Sequence, residues 1–150
     1  MKSLPLLIGC ALLAACATDD RPPLSIDGLR VLAPMPATDV SVGYMTIENH
    51  EDRPLVLKSV SSPQFERVEI HVTILDGDIA RMQRMEQLEI GAASSVELKP
   101  GGTHLMLIGP VADVTAGTRI SLQFDFSDRG LLIVETTIVG RQPADAALQP

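Results

Sequence analysis

Short stretches of β-type sequence, each ended by a turn signal, run through this chain of 150 residues. Apolar and polar residues alternate in them, as they do between Val68 and Ile74, which is the period of a half-buried strand. Glycine, proline and aspartate clusters separate the stretches, and no segment has a convincing helical period. The sequence therefore predicts an all-β sandwich with ten strands, which lie near residues 25–33, 41–49, 54–61, 67–75, 79–84, 86–90, 94–99, 103–109, 118–126 and 131–139.

The predicted core is mainly aliphatic, because the chain has no Trp, one Tyr and three Phe. Leu122, Phe124 and Phe126 alternate with polar residues, so we expect these three to face the core. The segment Leu131–Val134 is a continuous apolar run, which is typical of a strand that is buried on both faces.

The first fifteen residues have the form of a lipoprotein signal peptide. Lys2 precedes an apolar run from Leu4 to Ala15 that is too short to span a bilayer as a stable helix. The run ends in Leu-Ala-Ala followed by Cys16, which resembles a bacterial lipobox, in which the cysteine is lipidated and becomes the first residue. An ordinary secretory signal cut near Ala15 or Ala17 is the alternative. Ala17 after the cysteine favours the outer membrane over the inner one, by resemblance to the enterobacterial sorting rule.

With cleavage before Cys16, the sequence predicts a signal peptide at 1–15, a tether at 16–24, one β-sandwich domain at 25–140 and a frayed tail at 141–150. Of the two cysteines, only Cys16 would remain, and its lipid would exclude disulfide and thiolate chemistry. The net charge of −7 becomes −8 once Lys2 is removed, which argues against binding to nucleic acid. We therefore expect contact with the membrane only through the lipid anchor, on the periplasmic side.

Two histidines and two methionines have a spacing that predicts a metal site. His71 is followed after ten residues by Met82, and after twenty-one more by His104, with Met106 two positions on. Imidazole nitrogen and thioether sulfur together suit Cu(I) better than they suit zinc, calcium or magnesium. His104 and Met106 lie two apart on a predicted strand, so both project from one face.

The dipeptide Asp76-Gly77 predicts a hairpin turn that relates the first two of these residues. If those two residues form the loop, Met82 falls directly opposite His71, with Cβ atoms roughly 4.5–5.5 Å apart. The same register pairs Glu69 with Arg84, two opposite charges. A lone histidine on a strand is usually a surface residue and a lone methionine is usually core filler, but the hairpin and the His-x-Met spacing converge independently on paired ligands.

Three other residues are weaker candidates for ligands. His50 lies in a predicted turn and is interpreted as a solvated residue. Met45 lies within a strand pattern and is interpreted as core. Met85 is three positions after Met82, so the same strand would turn it to the opposite face, and it ranks below Met82 as a ligand.

The spacing of His71, Met82, His104 and Met106 is the hallmark of the periplasmic copper(I) chaperone family PCu(A)C, which this sequence resembles over roughly residues 25–139. The segments 94–109 and 43–49 also resemble signature segments of that family. Two departures stand out. Many members carry a methionine directly after the first histidine, where this chain has Val72, and some have a tail rich in histidine and methionine, which residues 141–150 lack.

The resemblance implies a cupredoxin-like Greek-key β-sandwich with the copper ligands at one end. It also implies delivery of Cu(I) by ligand exchange to the copper centre of a cytochrome c oxidase or to another periplasmic copper carrier, and we expect no enzymatic activity. Two other functions stay open. One is a lipoprotein that stores copper or confers copper resistance, and the other is a sandwich that binds a protein or glycan, with the His/Met set incidental.

Overall fold

The computed structural model describes residues 21–35, 38–77 and 79–142. The expectations for the signal peptide, for Cys16 and for most of the tail lie outside the described residues. Ten strands are described, and each begins and ends within two residues of its predicted bounds. They are β1 (Leu24–Leu32), β2 (Val40–Asn49), β3 (Leu55–Ser61), β4 (Phe65–Asp76), β5 (Ile79–Met85), β6 (Leu88–Ile90), β7 (Ser94–Leu98), β8 (Thr103–Pro110), β9 (Arg119–Phe126) and β10 (Gly130–Val139).

The strands form one path in the order β5-β4-β8-β2-β1-β10-β9-β3-β6, and β7 pairs with β2 beyond the end of β8. The strand pairings are antiparallel except that between β1 and β10, where Val31 pairs with Ile138 in a parallel contact. The path folds over one hydrophobic core. The predicted all-β architecture is thus confirmed, and the described residues contain no helix that is long and apolar enough to cross a membrane.

The alternating pattern of β9 faces the core as predicted, since Leu122, Phe124 and Phe126 are all buried. The prediction of a doubly buried β10 is wrong. Leu131 and Ile133 are 62% and 58% exposed, whereas their neighbours Leu132 and Val134 pack against the core. The strand is therefore half-buried, as an antiparallel strand with one solvated face is, although its outer face carries apolar side chains.

Asn49, the last residue of β2, ties two turns together from a buried position. Its Nδ2 donates to the backbone oxygens of Arg53 at 2.7 Å and Gly91 at 2.8 Å, and its Oδ1 accepts from the amide of Glu51 at 3.0 Å. The side chain is 1% exposed, so these bonds replace the water that it loses. This residue therefore holds the turn after β2 against the turn between β6 and β7.

The β4–β5 hairpin has a different register from the predicted one. Asp76 pairs with Ile79, and Gly77 adopts a left-handed φ of 61°, so the strands still pair at Asp76. Met82 consequently lies opposite Thr73, and Arg84 lies opposite His71. The prediction that His71 directly faces Met82 is wrong by two positions. Because a shift of two preserves the side-chain alternation, both residues still project from the same face.

Candidate metal site

The four predicted ligands lie on three neighbouring strands at one edge of the sheet. His71 is on β4, Met82 is on the edge strand β5, and His104 and Met106 are on β8. All four project from the face opposite the core, because their neighbours Ile70 and Leu105 point inward and are buried.

Strand register places His71 at the centre of the set. It lies directly opposite His104, and the two rings have centroids 6.2 Å apart and planes inclined by 38°. Met106 pairs with Glu69 and Met82 pairs with Thr73, so each methionine is a diagonal neighbour of His71, on opposite sides. Diagonal neighbours lie roughly 7–8 Å apart, and their Cβ atoms lie somewhat closer, within reach of a flexible thioether side chain. The strand register thus places the two imidazole rings directly beside each other. The two methionine sulfurs would reach the rings from opposite sides of His71.

The one side-chain hydrogen bond described for His71 identifies which of its ring nitrogens is free. Its Nε2 lies 2.8 Å from Oε2 of Glu69. The hydrogen bond with His71 is the main reason why the pKa of Glu69 lies below its usual value, so the carboxylate is ionised near neutral pH and can only accept. Nε2 must therefore donate, and in a neutral ring Nδ1 keeps its lone pair. That Nδ1 is buried and has no hydrogen-bond partner.

The ring of His104 is held in the complementary way. Its Nδ1 donates to the backbone oxygen of Gly102 at 2.9 Å, which leaves the Nε2 lone pair free. The residue is 4% exposed, and this burial lowers its pKa, with the Gly102 bond opposing that effect and His71 adding to it. Burial therefore favours the neutral imidazole, which is the form that binds metal.

Exposure rises from β8 towards the edge of the sheet. His104 is buried, His71 and Met106 are half-buried, and Met82 is 45% exposed. The hairpin tip beyond Met82 is apolar and exposed as well, with Leu75 at 74% and Ile79 at 59%. One side of the candidate site is therefore buried, and the other is open to solvent or to a partner.

The weaker candidates lie elsewhere in the described structure. Met45 is buried in the core, as expected, and Met85 pairs with Ile70 and packs against the core on the opposite face from Met82. His50 follows the end of β2 and faces the carboxylate of Glu48, with Nε2 3.4 Å from Oε2. Among the described residues, no three His, Cys, Asp or Glu side chains group as they would around a metal.

Three residues beside the site are not predicted by the sequence pattern to be part of it. The pattern predicts only a charge pairing for Glu69, it does not indicate Thr73, and it places Arg84 opposite Glu69 rather than opposite His71. Thr73 lies between His71 and Met82 on the site face, and its buried hydroxyl has no hydrogen-bond partner. The Glu69-x-His71 spacing was the available signal, since residues two apart on a strand share a face.

Comparison with known proteins identifies the group to which the chain belongs. Residues 24–138 match the profile of a family described as "Putative lipoprotein LpqE-like". The chain belongs to the LpqE-like family. The chain is also 31% identical over 104 residues to a protein of Rickettsia prowazekii (strain Madrid E), and the match covers 69% of this chain and 58% of that protein. It is 27% identical over 126 residues to "Putative lipoprotein Lxx21020" of Leifsonia xyli subsp. xyli, covering 81% and 75% of the two chains.

Solved structures relate this LpqE-like chain to PCuAC domains. The Cu(I)-bound solution structure of DR1885 from Deinococcus radiodurans superimposes with a TM-score of 0.67 and 25% identity, covering 87% of this chain and 86% of that one. The copper-bound PCuAC domain from PmoF2 has a TM-score of 0.67 and 22% identity, covering 80% and 95%. These likenesses confirm the predicted resemblance and the cupredoxin-like β-sandwich.

Proposed function

We propose that this chain binds one Cu(I) ion through His71, Met82, His104 and Met106, and delivers it by ligand exchange. The observation that carries the proposal is Nδ1 of His71, a buried nitrogen that has no hydrogen-bond partner and belongs to a ring beside a second imidazole. An unsatisfied buried polar atom costs about 1–3 kcal/mol, and a bound metal ion removes that cost. Nitrogen and thioether sulfur are the donors that Cu(I) prefers.

Delivery is favoured over storage by the exposure of Met82. A ligand on an exposed edge strand can be replaced by a donor atom of a partner protein, whereas the buried His104 keeps hold of the ion until the exchange is complete. The apolar hairpin tip beside Met82 offers that partner a contact surface. A storage site would retain its ion better if it were closed on all sides, whereas this site is open to solvent at Met82.

The recipient that we propose is the copper centre of a cytochrome c oxidase, or another periplasmic copper carrier. Such a transfer requires no general acid, base or nucleophile, so the chain would act as a carrier rather than as an enzyme. The lipoprotein description of the family supports an anchor outside the cytoplasm. We propose Cys16 as the lipidated residue, and the periplasmic face of the outer membrane rather than that of the inner membrane as the location.

The proposal is tested by anaerobic titration of the processed protein with Cu(I) in competition with a chromophoric chelator. We expect one ion per chain, with both nitrogen and sulfur scatterers in the X-ray absorption spectrum. Met82→Leu should weaken binding. Met85→Leu is the matched control, because it removes a thioether from the same strand but from the core-packed face, and it should leave the affinity unchanged.

Each alternative function has its own outcome. A protein that binds no Cu(I) would be a sandwich of another kind, with the His/Met set incidental. A protein that binds Cu(I) but does not pass it to the metal-free copper domain of an oxidase, or to a second carrier, would be a storage or resistance protein. Equal loss of affinity in the Met82 and Met85 variants would contradict the assignment of Met82.

A further inference from the structure

The two carboxylate oxygens of Glu69 have different partners, an imidazole on one and two arginines on the other. Oε2 accepts the hydrogen bond from Nε2 of His71 at 2.8 Å. Oε1 lies 3.4 Å from Nε of Arg67 and 3.8 Å from a guanidinium nitrogen of Arg84. The side chain of Glu69 is 17% exposed, whereas those of the two arginines are about 60% exposed. The carboxylate is therefore much less accessible to solvent than either arginine.

The backbone reinforces this arrangement. Glu69 and His71 are two apart on β4 and project from the same face, and Arg84 of β5 lies directly opposite His71. On the other side, Met106 of β8 lies directly opposite Glu69. The carboxylate is therefore next to one proposed nitrogen ligand and one proposed sulfur ligand, although both of its oxygens already have partners on β4 and β5.

The pairing of Glu69 determines the tautomer of His71. A carboxylate with two cationic neighbours stays ionised and accepts hydrogen bonds, so the ring hydrogen is held on Nε2 and the lone pair on Nδ1. Histidine ligands of metals commonly donate their other ring hydrogen to a carboxylate or a carbonyl, which fixes the ring and makes the ligating nitrogen more basic. Here Glu69 would do this for His71, and the backbone oxygen of Gly102 for His104.

We propose that Glu69 is a positioning residue that makes copper bind His71 through Nδ1, while His104 binds it through Nε2. This inference rests on the proposed copper site and adds to it a residue and a choice of ligand atom. Because both oxygens of Glu69 are engaged, it is not itself a ligand, and the donor set stays nitrogen and sulfur.

The test is nuclear magnetic resonance of ¹⁵N-labelled full-chain protein at a pH where the imidazoles are neutral, first without metal and then with one equivalent of Cu(I). In the metal-free protein, long-range ¹H–¹⁵N correlations should show His71 as the Nε2–H tautomer and His104 as the Nδ1–H tautomer. Addition of Cu(I) should shift the resonances of Nδ1 of His71 and Nε2 of His104.

Two substitutions separate positioning from simple loss of structure. Glu69→Gln keeps a carbonyl oxygen that can accept from Nε2, so the tautomer should persist and the affinity should stay near that of the wild type. Glu69→Ala removes the acceptor, so the tautomer preference should be lost and Cu(I) affinity should fall about 10–100-fold. Glu97→Gln is the matched control, since Glu97 pairs with Lys99 on the exposed surface, and it should change neither quantity.

The possible results distinguish failure of the role of Glu69 from failure of the proposed copper site. An Nδ1–H tautomer of His71 in the wild type, or coordination through its Nε2, would overturn this inference while leaving copper binding intact. Unchanged tautomer and affinity in Glu69→Ala would overturn it too, and so would equal losses in the Gln and Ala variants, which would point to charge alone. A wild type with the expected tautomers that binds no Cu(I) would instead refute the proposed function, and with it the role of Glu69 in coordination.

Discussion

Buried His104 should make the metal-free protein lose stability in mildly acidic solution. Burial lowers the pKa of this imidazole in the folded state, so between that pKa and the unfolded value of roughly 6.5 the unfolded chain binds a proton that the folded chain does not. The stabilising contribution of the neutral His104 ring is thus complete above about pH 6.5, and it is lost as the pH falls towards the pKa of His104 in the folded protein.

The size of this effect has an upper bound. One proton gives a slope of about 1.4 kcal/mol per pH unit, so the free energy of unfolding should fall by no more than about 2 kcal/mol between pH 6.5 and 5. Glu69, whose pKa is lowered, affects stability in a separate pH range, below its usual pKa of 4.5. A carboxylate with a depressed pKa loses its stabilising contribution only as it becomes protonated.

The measurement is urea unfolding of the metal-free protein, followed by far-ultraviolet circular dichroism at a series of pH values from about 7.5 to 5. His104→Gln should flatten the profile in this range, whereas His50→Gln changes a histidine outside the site and should keep the wild-type slope. A wild-type profile that is already flat, or a His104→Gln profile that keeps the full slope, would refute the reasoning.

Three further predictions concern copper, the fold and the anchor. Cu(I) affinity should fall between about pH 7.5 and 5 in a chelator competition, since imidazole must be neutral to bind, and a flat profile would mean that sulfurs alone hold the ion. Asn49→Asp should lower the free energy of unfolding by about 2–3 kcal/mol in urea, because a carboxylate cannot donate to the oxygens of Arg53 and Gly91; a loss below about 0.5 kcal/mol would contradict this. Cys16→Ser should abolish labelling with a radioactive fatty acid, and an unlabelled wild type would refute the lipobox.

The strands could be predicted from sequence because their signals are local. Alternation of apolar side chains and the turn residues between strands are properties of a few neighbouring positions, and the ten strands follow from them. The pattern failed at Leu131 and Ile133, which are apolar but exposed. Hydrophobicity alone does not reveal whether anything covers the second face of a strand.

The site could be predicted only in part. Side-chain alternation was sufficient to put His71 and Met82 on one face, but the register depended on whether Asp76 belongs to the loop or to the strand. The direct opposition of His71 and His104 requires β4 to pair with β8, a contact between segments that are distant in sequence. The tautomers could not be predicted either, because they depend on acceptors at Glu69 and Gly102 that only the folded chain brings into place.

Met82 lies on the last strand of the sheet, and this gives the proposed site a separate way to open. Among the described strands, β5 pairs with β4 alone, and most of its side chains are exposed. Fraying of such an edge breaks one ladder of hydrogen bonds and leaves most of the core in place, so it requires much less free energy than global unfolding. One sulfur could then detach while both imidazoles and the other sulfur stay in the sheet. The rate of metal release would be governed by local opening of a single hairpin, and the lifetime of the bound ion could change without any change in the stability of the fold.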